Sequence, residues 1–293
     1  MSATRHHFVP QGYLRGFVAA DDTSGSFIWV YDKNPGRLPR KKSVKSIAWA
    51  PAYYAQEHPD GSPDLDTIET KLAQTIDNDI PQLLNRIVPQ IGKSVAMSSE
   101  DKGILAFFVG LSMTRVPSFR DGIHAMYTKI AQIGLSHQLD KNPKLRAFAE
   151  KHGVKAEAKP WVSLQPMIEM AQSIGIASLA KNWQFFIPPP NVPLVTSDNP
   201  VVCSAGAAGL TQLGPAHPHA ELVINLRKDL ALVCTPKRGY PDMLAFELKP
   251  ADARKFNRGI VRAARQRVFA DHHSEILDTF VKRYWGEEQR IVV

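Results

Sequence analysis

The residues best suited to chemistry lie in one short segment near the start of the 293-residue chain. Residues 5–17 contain the adjacent imidazoles of His6 and His7, the carboxamide of Gln11 and the phenol of Tyr13. Neutral imidazoles can bind a divalent metal, and a histidine can serve as a general base. Terminal segments are usually poorly ordered unless they are tied down. The apolar side chains between these groups therefore predict that the segment docks on the protein.

Groups of complementary chemistry occur farther along the chain, at Asp198, Asn199 and Arg115. Asp198 and Asn199 follow a predicted strand, where a carboxylate could hold a metal or orient a base. Arg115 lies near the end of a predicted apolar helix, where a guanidinium could stabilise charge on a phosphate. Both features also have structural explanations, because an Asx–Pro turn often ends a strand and a cation stabilises the C-terminal end of a helix.

These groups suggest a first hypothesis, a nuclease-like phosphodiester hydrolase with a composite site. A histidine would act as base or metal ligand, and a divalent metal is the candidate cofactor, although the sequence fixes no ligand set. Adjacent residues of an extended segment point in opposite directions, so at most one of the two histidines faces such a site. The predicted catalytic residues are His6, His7, Gln11, Tyr13, Arg115, Asp198 and Asn199.

A second hypothesis is a non-catalytic module that binds nucleic acid or a nucleotide. The formal net charge of +8 suits a polyanionic partner. Four arginines recur on a helix predicted from about residue 250 to 270, although such a stripe is also typical of a solvated helix face. A basic segment at residues 37–45 could add phosphate contacts. The predicted nucleic-acid-binding residues are Arg15, Arg254, Arg258, Arg262 and Arg265.

A third hypothesis makes the N-terminal segment purely structural, as a staple that holds the two termini of the chain together. Substitutions of His6 or Asp198 would then lower stability and change nothing else. The sequence lacks a GxxxxGK[ST] phosphate loop, a GxGxxG dinucleotide motif, an HExxH metal motif and a GxSxG nucleophile elbow. These absences argue against the common nucleotide-dependent enzymes and serine hydrolases.

Two motifs have a distinctive order of residue types. Residues 6–17 read HHFVPQGYLRGF, and residues 197–200 read SDNP after a Trp-x-Phe strand that begins at Trp183. Together they resemble the bacterial domain-of-unknown-function 4238 family, whose members carry both patterns. Asn257 matches an asparagine in the terminal helix of that family. The resemblance implies a family without implying a reaction.

The helices that must position these groups follow from hydrophobic periodicity and capping signals. The first predicted helix carries one apolar stripe, with a kink or break at Pro81. Glu69 lies beside this stripe and could reach inward, although a solvent-facing side chain is the favoured interpretation. The second begins with Ser98 as a cap and is apolar all round, which is typical of a central helix. The predicted helices span residues 64–88, 98–115, 121–160, 160–181 and 250–270.

The strand signals predict an α+β fold in a single domain of residues 1–293. The predicted strands span residues 27–31, 183–187, 193–197, 222–226 and 230–234. The second and third of these strands are expected to form a hairpin, and so are the fourth and fifth. We expect a central helical bundle at about residues 64–182 and a small antiparallel sheet built from the N-terminal and C-terminal parts.

The composition predicts a soluble, cytoplasmic protein. A hydrophobic fraction of 44% with 22% charged residues is ordinary for a globular chain that buries a core. No apolar run approaches the ~18 residues of a membrane span, and residues 1–20 lack the layout of a secretion signal. Cys203 and Cys234 lack the paired spacing of a zinc site and are expected to be reduced thiols. The oligomeric state stays open.

Overall fold

The computed structural model of the chain describes residues 5–19, 21–34, 36–58, 60–204, 213–236 and 239–285, with only the backbone of Thr75. The helices in these ranges are α1 (Gln11–Leu14), α2 (Thr67–Leu72), α3 (Asp79–Arg86), α4 (Ser99–Thr114), α5 (Pro117–Lys141), α6 (Pro143–His152), α7 (Leu164–Leu179), α8 (Pro250–Ala263) and α9 (Glu275–Tyr284). The strands are β1 (Arg5–His7), β2 (Phe27–Asp32), β3 (Arg40–Ser43), β4 (Trp49–Pro51), β5 (Gln56–Glu57), β6 (Pro63–Asp64), β7 (Asn182–Ile187), β8 (Thr196–Ser197), β9 (Val201–Ser204), β10 (Glu221–Arg227), β11 (Leu230–Thr235), β12 (Leu244–Glu247) and β13 (Arg267–Ala270). The chain therefore has the α+β fold that its sequence predicted.

A four-stranded antiparallel sheet joins the two ends of the chain in the order β3-β2-β13-β8. β2 and β3 come from the N-terminal part, and β13 pairs with both β2 and β8. Val30 on β2 faces Phe269 on β13, and both side chains are buried in the main core. The predicted sheet built from both parts of the chain is confirmed.

A second sheet has five strands in the order β12-β7-β11-β10-β9, with β12 and β7 parallel and the other pairs antiparallel. The predicted hairpin between β10 and β11 is confirmed. The predicted hairpin between residues 183–187 and 193–197 is wrong, because β7 pairs with β11 and β12 whereas β8 pairs with β13. Prolines 188–190 cannot donate ladder hydrogen bonds, and the chain after them leaves the sheet.

The first predicted helix is interrupted just before Pro81. A π-helical turn at Ala73–Asp77 separates α2 from α3. Proline has no N–H to donate to the carbonyl four residues earlier, so the regular helix cannot continue through Asp77 unchanged. The Pro81 ring packs on Gly12 of α1, where a Cβ would lie 2.4 Å from Pro81 Cγ. The interruption thus forms the surface on which α1 docks.

The centre of the molecule is the crossing of α4 and α7. Ser98 caps α4 by accepting a 3.0 Å hydrogen bond from the Asp101 N–H, as its sequence predicted. The two helices approach so closely that a Cβ at Gly110 would lie 2.0 Å from the Ala171 carbonyl oxygen. Only glycine fits at this position. The close crossing fixes the end of α4, where Arg115 follows.

The long helix α5 leaves the core after its first two turns. Its buried residues are Phe119, Arg120 and Ile123, and the remainder of its 25 residues is largely exposed. None of the helices in the described ranges combines the length and apolar character that a bilayer crossing requires. The exposed part of α5 is therefore a surface feature that the fold itself does not cover.

The predicted helix at residues 250–270 is too long. α8 ends at Ala263, and residues 267–270 form β13. Val268 and Phe269 are β-forming residues whose strand positions are buried between β2 and β8, so tertiary pairing overrides the helical pattern. Arg265 consequently leaves the predicted arginine stripe.

Candidate functional site

Strand β1 holds the N-terminal segment on the protein by pairing with β4. The ring of His6 is fully buried and stacks on Tyr54, with ring centroids 5.6 Å apart. His6 Nδ1 accepts a 2.9 Å hydrogen bond from the Tyr54 backbone N–H. Burial lowers the pKa of His6, although Asp66 acts in the opposite direction. The lowered pKa keeps the imidazole neutral. Its ring packs on Tyr54, and its Nδ1 is used in a hydrogen bond to the backbone.

His7 follows on the opposite side of β1 and is also buried. Its Nδ1 lies 3.4 Å from Nε2 of Gln11, the first residue of α1. Burial lowers the pKa of His7, and the Lys45 backbone acts in the opposite direction. The structure thus separates the two imidazoles, as the alternation along an extended segment requires.

Arg115 is fully buried, and its guanidinium is hydrogen-bonded to other groups of the protein. Asp77 binds it through both oxygens, with Nη1 2.8 Å from Oδ1 and Nη2 3.1 Å from Oδ2. Nη2 also donates to the His7 carbonyl oxygen at 2.8 Å, and Nε donates to the Tyr54 hydroxyl at 3.1 Å. Burial disfavours the charge, but Asp77 and Tyr54 together outweigh burial and raise the pKa of Arg115. Arg115 therefore fixes the N-terminal segment to the π-helical turn.

Glu69 is the acidic residue that the sequence placed in solvent and that the structure turns inward. Its Oε2 is buried and has no hydrogen-bond partner among the described residues. Burial raises the pKa of Glu69 to about 7, with Arg115 acting to lower it and Asp77 to raise it. The sequence offered one signal for this inward orientation. Glu69 precedes Leu72 by three residues, so it lies on the same helix face as this buried residue of the apolar stripe.

Four buried polar atoms in this region have no hydrogen-bond partner among the described residues. They are His6 Nε2, His7 Nε2, Glu69 Oε2 and Tyr53 Oη. A carboxylate oxygen of Asp66 lies 4.0 Å from His6 Nε2, which is too far for a hydrogen bond. Buried polar groups are normally hydrogen-bonded, so these atoms are the ones left to act as acid, base or ligand.

Tyr13 connects the N-terminal segment to both sheets. Its hydroxyl shares a 2.7 Å hydrogen bond with Thr196 Oγ1 on β8 and donates at 2.6 Å to the carbonyl oxygen of Asn225 on β10. Burial raises the pKa of Tyr13 well above its usual range, so the phenol stays protonated. This arrangement agrees with a structural role for the N-terminal segment, because both contacts of the Tyr13 hydroxyl are hydrogen bonds within the protein.

The carboxylate of Asp198 holds the turn between α8 and β13. It accepts backbone hydrogen bonds from Arg265 at 2.8 Å, from Gln266 at 2.8 Å and from Arg267 at 3.0 Å. Burial raises the pKa of Asp198 to about 6, against the three N–H donors, which favour the ionised form. The side chain is therefore fully used as a backbone anchor.

Asn199 and Asn257 serve the same junction. Asn199 Nδ2 donates to the Ala263 carbonyl oxygen at 3.0 Å, at the last residue of α8. Asn257 accepts from the Val195 N–H at 3.0 Å and donates to the Pro193 carbonyl oxygen at 2.9 Å. Both amides therefore bind α8 to the segment around β8.

The structure divides the predicted composite site into two groups. His6, His7, Gln11 and Arg115 lie around β1, whereas Asp198, Asn199 and Asn257 lie at the end of β8. Within the described ranges, no hydrogen bond or ion pair joins the first group to Asp198 or Asn199. The composite site as a whole therefore stays a prediction.

Three basic residues of α8, Arg254, Lys255 and Arg258, face a groove against α9 with a volume of about 440 Å³. We call it the α8–α9 groove, and its lining includes Arg254, Lys255, Arg258, Phe280, Arg283 and Tyr284. The exposed faces of both helices supply its walls, and the rings of Phe280 and Tyr284 meet edge to face at 4.9 Å between centroids. Cations and aromatic rings are thus combined in one open concavity.

Three guanidiniums surround the ring of Tyr284. The Arg283, Arg258 and Arg262 Cζ atoms lie 5.4, 5.7 and 5.8 Å from the ring centroid. Cation–π attraction at such distances stabilises each guanidinium only modestly. Arg283 and Tyr284 were not among the residues predicted from the sequence. A signal was present, because Leu277 and Val281 are four residues apart with polar residues between them, which is typical of an amphipathic helix.

Two predicted nucleic-acid-binding residues lie outside the α8–α9 groove. Arg265 follows the end of α8, and its Nη2 lies 2.5 Å from Asp121 Oδ2. Arg15 is exposed in the short turn Arg15–Phe17 beside α1. Arg254, Arg258 and Arg262 therefore keep their predicted alignment on α8, whereas Arg15 and Arg265 do not join them.

Metal-binding groups are scattered in the part of the chain that the structure describes. No cluster of three His, Cys, Asp or Glu side chains that could hold a metal ion occurs there. His6 and His7 lie on opposite sides of β1, so they cannot chelate one ion together. Cys203 and Cys234 are not joined by a disulfide bond. A divalent cofactor stays a prediction.

Comparison with known protein families identifies a family for this chain. A family model described as protein of unknown function (DUF4238) matches residues 5–274. The match includes β1, β8 and α8 and ends one residue before α9. No curated protein and no solved structure matches the chain.

Proposed function

The chain belongs to the DUF4238 family of proteins of unknown function, and we propose that it binds nucleic acid through the α8–α9 groove. The observation that carries the proposal is the cluster of Arg258, Arg262 and Arg283 around Tyr284. No carboxylate in the described ranges pairs with these three guanidiniums. Like charges held close together repel, and a bound anion removes that repulsion.

The neighbouring cations contrast with this cluster. Lys255 pairs with Asp252 at 2.9 Å, and Lys282 pairs with Asp278 at 2.6 Å. Asp252 and Asp278 are therefore already paired with lysines. Arginine forks bind phosphate oxygens in a bidentate geometry, so an external phosphate is a suitable partner for the remaining guanidiniums.

The aromatic residues favour nucleic acid over a simple polyanion. Phe280 and Tyr284 are half-buried, and both line the α8–α9 groove. Proteins that bind single strands combine a positively charged groove with aromatic rings on which bases stack. The groove thus offers contacts for both the backbone and the bases of a strand.

The proposal is tested by fluorescence anisotropy with labelled single-stranded and duplex DNA and RNA over a range of salt concentrations. We expect Arg258→Ala/Arg283→Ala to weaken binding at least about tenfold and to reduce the log–log salt slope by about two, because each lost phosphate contact removes about one counterion. The matched control is Arg146→Ala on α6, which removes one exposed arginine outside the groove.

The outcome that contradicts the proposal is equally definite. If the double variant binds every probe as tightly as Arg146→Ala does, the α8–α9 groove is not a nucleic-acid site. If Tyr284→Ala weakens binding without changing the salt slope, the ring contacts bases rather than phosphates, because stacking releases no counterions.

A second candidate function is phosphodiester hydrolysis at the N-terminal segment. It is favoured by the unpartnered atoms His7 Nε2 and Glu69 Oε2. The pKa of Glu69, raised by burial to about 7, lets its carboxyl keep a proton near neutral pH and deliver it to a leaving oxygen. The lowered pKa of His7 keeps its imidazole neutral, as a general base must be.

This candidate is tested by incubating the protein with DNA and RNA in the presence of Mg²⁺, Mn²⁺ or a chelator. We expect Glu69→Gln and His7→Ala to abolish cleavage while oligonucleotide binding and folding are retained. Asp198→Asn serves as the comparison, because the Asp198 carboxylate binds backbone N–H groups. A wild-type protein that cleaves nothing under all these conditions removes the hydrolase candidate and leaves the binding proposal unaffected.

A further inference from the structure

We infer that a pocket between β2 and α9 binds a phosphate group. The pocket has a volume of about 180 Å³. We call it the β2–α9 pocket, and its charged lining consists of Asp32, Lys33, Arg37, Asp278 and Lys282. It shares no lining residue with the α8–α9 groove, so the inference does not depend on nucleic-acid binding there.

The carboxylate of Asp32 attracts more cations than it can neutralise. Its Oδ2 lies 3.0 Å from Arg40 Nη2, 3.3 Å from Arg37 Nη1 and 3.9 Å from Arg267 Nε. Burial acts to raise the pKa of Asp32, but its hydrogen bonds, that with Arg40 first among them, outweigh burial and lower the pKa. Three guanidiniums against one ionised carboxylate leave two positive charges uncompensated within the described residues.

Hydrogen-bond donors are also in surplus here. Arg267 Nε is buried and has no hydrogen-bond partner among the described residues, because 3.9 Å is too far for a hydrogen bond with Asp32. The Nε1 atom of Trp285, which lines the β2–α9 pocket, is likewise buried without a described partner. Both atoms are N–H donors, and buried donors are normally satisfied. The region therefore lacks acceptors, and phosphate oxygens are acceptors.

Two cations of the lining are open to a ligand. The Arg37 side chain is 53% exposed, and Lys33 is exposed beside it. In the part of the chain that the structure describes, no carboxylate pairs with the Lys33 ammonium. Lys282, in contrast, is paired with Asp278 at 2.6 Å. Lys33 and Arg37 are therefore the groups of the lining that are best placed to bind an anion.

The charge and the size of the β2–α9 pocket favour phosphate over other anions. A phosphate monoester carries about −1.5 to −2 charge near neutral pH, which matches the two uncompensated positive charges, whereas a carboxylate supplies one. Arginine forks also bind phosphate oxygens in a bidentate geometry. The volume is below the roughly 300–1,000 Å³ of pockets for drug-sized ligands. One phosphate with at most a small organic group therefore fits.

The inference is tested by isothermal titration calorimetry with inorganic phosphate and with phenyl phosphate, at constant ionic strength so that screening is equal throughout. We expect Lys33→Ala/Arg37→Ala to weaken phosphate binding at least about tenfold, because two charged hydrogen-bond donors are lost. The matched control is Lys41→Ala/Lys42→Ala, which removes the same charge from β3 outside the pocket lining and should bind as the wild type does.

The variant Asp32→Asn separates a phosphate site from an ion-pair network that only holds β2 and β3 together. The carboxylate competes with phosphate for the same guanidiniums, so its loss should tighten phosphate binding several-fold. A purely structural network binds no phosphate in either protein. Circular dichroism verifies that the variant is folded.

Three results overturn the inference. They are a wild type that binds no phosphate, a Lys33→Ala/Arg37→Ala variant that binds it as tightly as Lys41→Ala/Lys42→Ala does, and a folded Asp32→Asn variant that binds it more weakly than the wild type. The variant Arg258→Ala/Arg283→Ala should keep phosphate binding in the β2–α9 pocket. Failure of the nucleic-acid proposal is thereby distinguished from failure of this one.

Oligonucleotides with a 5′-phosphate or a 5′-hydroxyl identify the source of the phosphate. A 5′-phosphate that raises affinity in the wild type but not in Lys33→Ala/Arg37→Ala assigns the pocket to a strand end, a result that rests on the proposed function. Equal affinities for the two oligonucleotides, with inorganic phosphate still bound, assign the pocket to free phosphate or a small phosphorylated molecule.

Discussion

The carboxylate of Asp77 explains how a guanidinium can be fully buried beside the N-terminal segment. Arg115 would carry an uncompensated charge in the core without it, and breaking a buried pair of this kind typically costs about 3–5 kcal/mol. The pair also orients the His7 carbonyl and the Tyr54 hydroxyl. At the scale of residues, the arginine that follows α4 therefore anchors the N-terminal segment, and Glu69 Oε2 is a buried oxygen with no hydrogen-bond partner among the described residues.

Glu69 predicts a specific dependence of stability on pH. Its pKa is about 7 in the folded protein against an ordinary value of 4.5, so between these values the folded state binds a proton that the unfolded chain releases. The contribution of Glu69 to the free energy of unfolding is therefore largest below pH 4.5 and falls as pH rises to about 7. We expect Glu69→Gln to lack this fall, as measured by urea denaturation at successive pH values.

The comparison between the two proteins isolates Glu69 from the histidines. The lowered pKa values of His6 and His7 make stability rise with pH up to about 6.5, which opposes the effect of Glu69. Both histidines remain in the variant, so their effect cancels in the difference between the two proteins. Parallel stability curves for wild type and Glu69→Gln would show that Glu69 titrates normally.

At the scale of elements, the crossing of α4 and α7 sets the position of everything at the C-terminal end of α4. Gly110 faces the Ala171 backbone, and Gly175 faces Ala106 in the reciprocal contact. Two small residues on facing helices let the backbones come closer than side chains would allow. Arg115 follows directly, so this contact places its guanidinium within reach of the π-helical turn.

Two alanine substitutions in the same helix should act in opposite directions. Gly110→Ala would place a Cβ 2.0 Å from a carbonyl oxygen, and we expect a loss of about 3 kcal/mol or more in the free energy of unfolding. Gly103→Ala meets no atom within 4 Å and should stabilise α4 by about 0.5–1 kcal/mol. Chemical denaturation of both variants checks this. A similar effect at the two positions would contradict the close crossing.

At the scale of the whole molecule, two side chains tie distant parts of the chain together. Tyr13 connects α1 to β8 and β10, and Asp198 connects β8 to the turn before β13. These contacts bring the N-terminal segment, the sheet and α8 into one assembly. They also place the family motifs at structural junctions, which agrees with the staple hypothesis for those residues.

Asp198→Ala should therefore lower stability without changing binding. Its loss leaves three backbone N–H groups without their acceptor, and we expect the free energy of unfolding to fall by about 2–4 kcal/mol. Oligonucleotide affinity, measured well below the melting temperature, should match that of the wild type, because Asp198 does not line the α8–α9 groove. A variant with normal stability and lost function would instead make Asp198 part of a site.

The sequence predicted elements whose signals are local. Ser98 caps α4, Pro250 begins α8, and the strands on either side of residues 227–229 form a hairpin, as their turn and capping residues indicated. The same reasoning failed where pairing is remote. β8 joins β13 instead of β7, and α8 ends early because its continuation pairs with β2 and β8.

The amino-acid sequence by itself determined the fold class, most helices and the family, because periodicity, capping and motif order are properties of neighbouring residues. Tertiary structure alone decided what the polar residues do. Asp77 binds Arg115, and backbone N–H groups at residues 265–267 bind Asp198. Helix α9 packs beside α8 and forms the second wall of the groove that Arg254 and Arg258 line. Hydrogen bonds and charge pairs are satisfied by whichever groups the fold brings together, and no local pattern names those partners in advance.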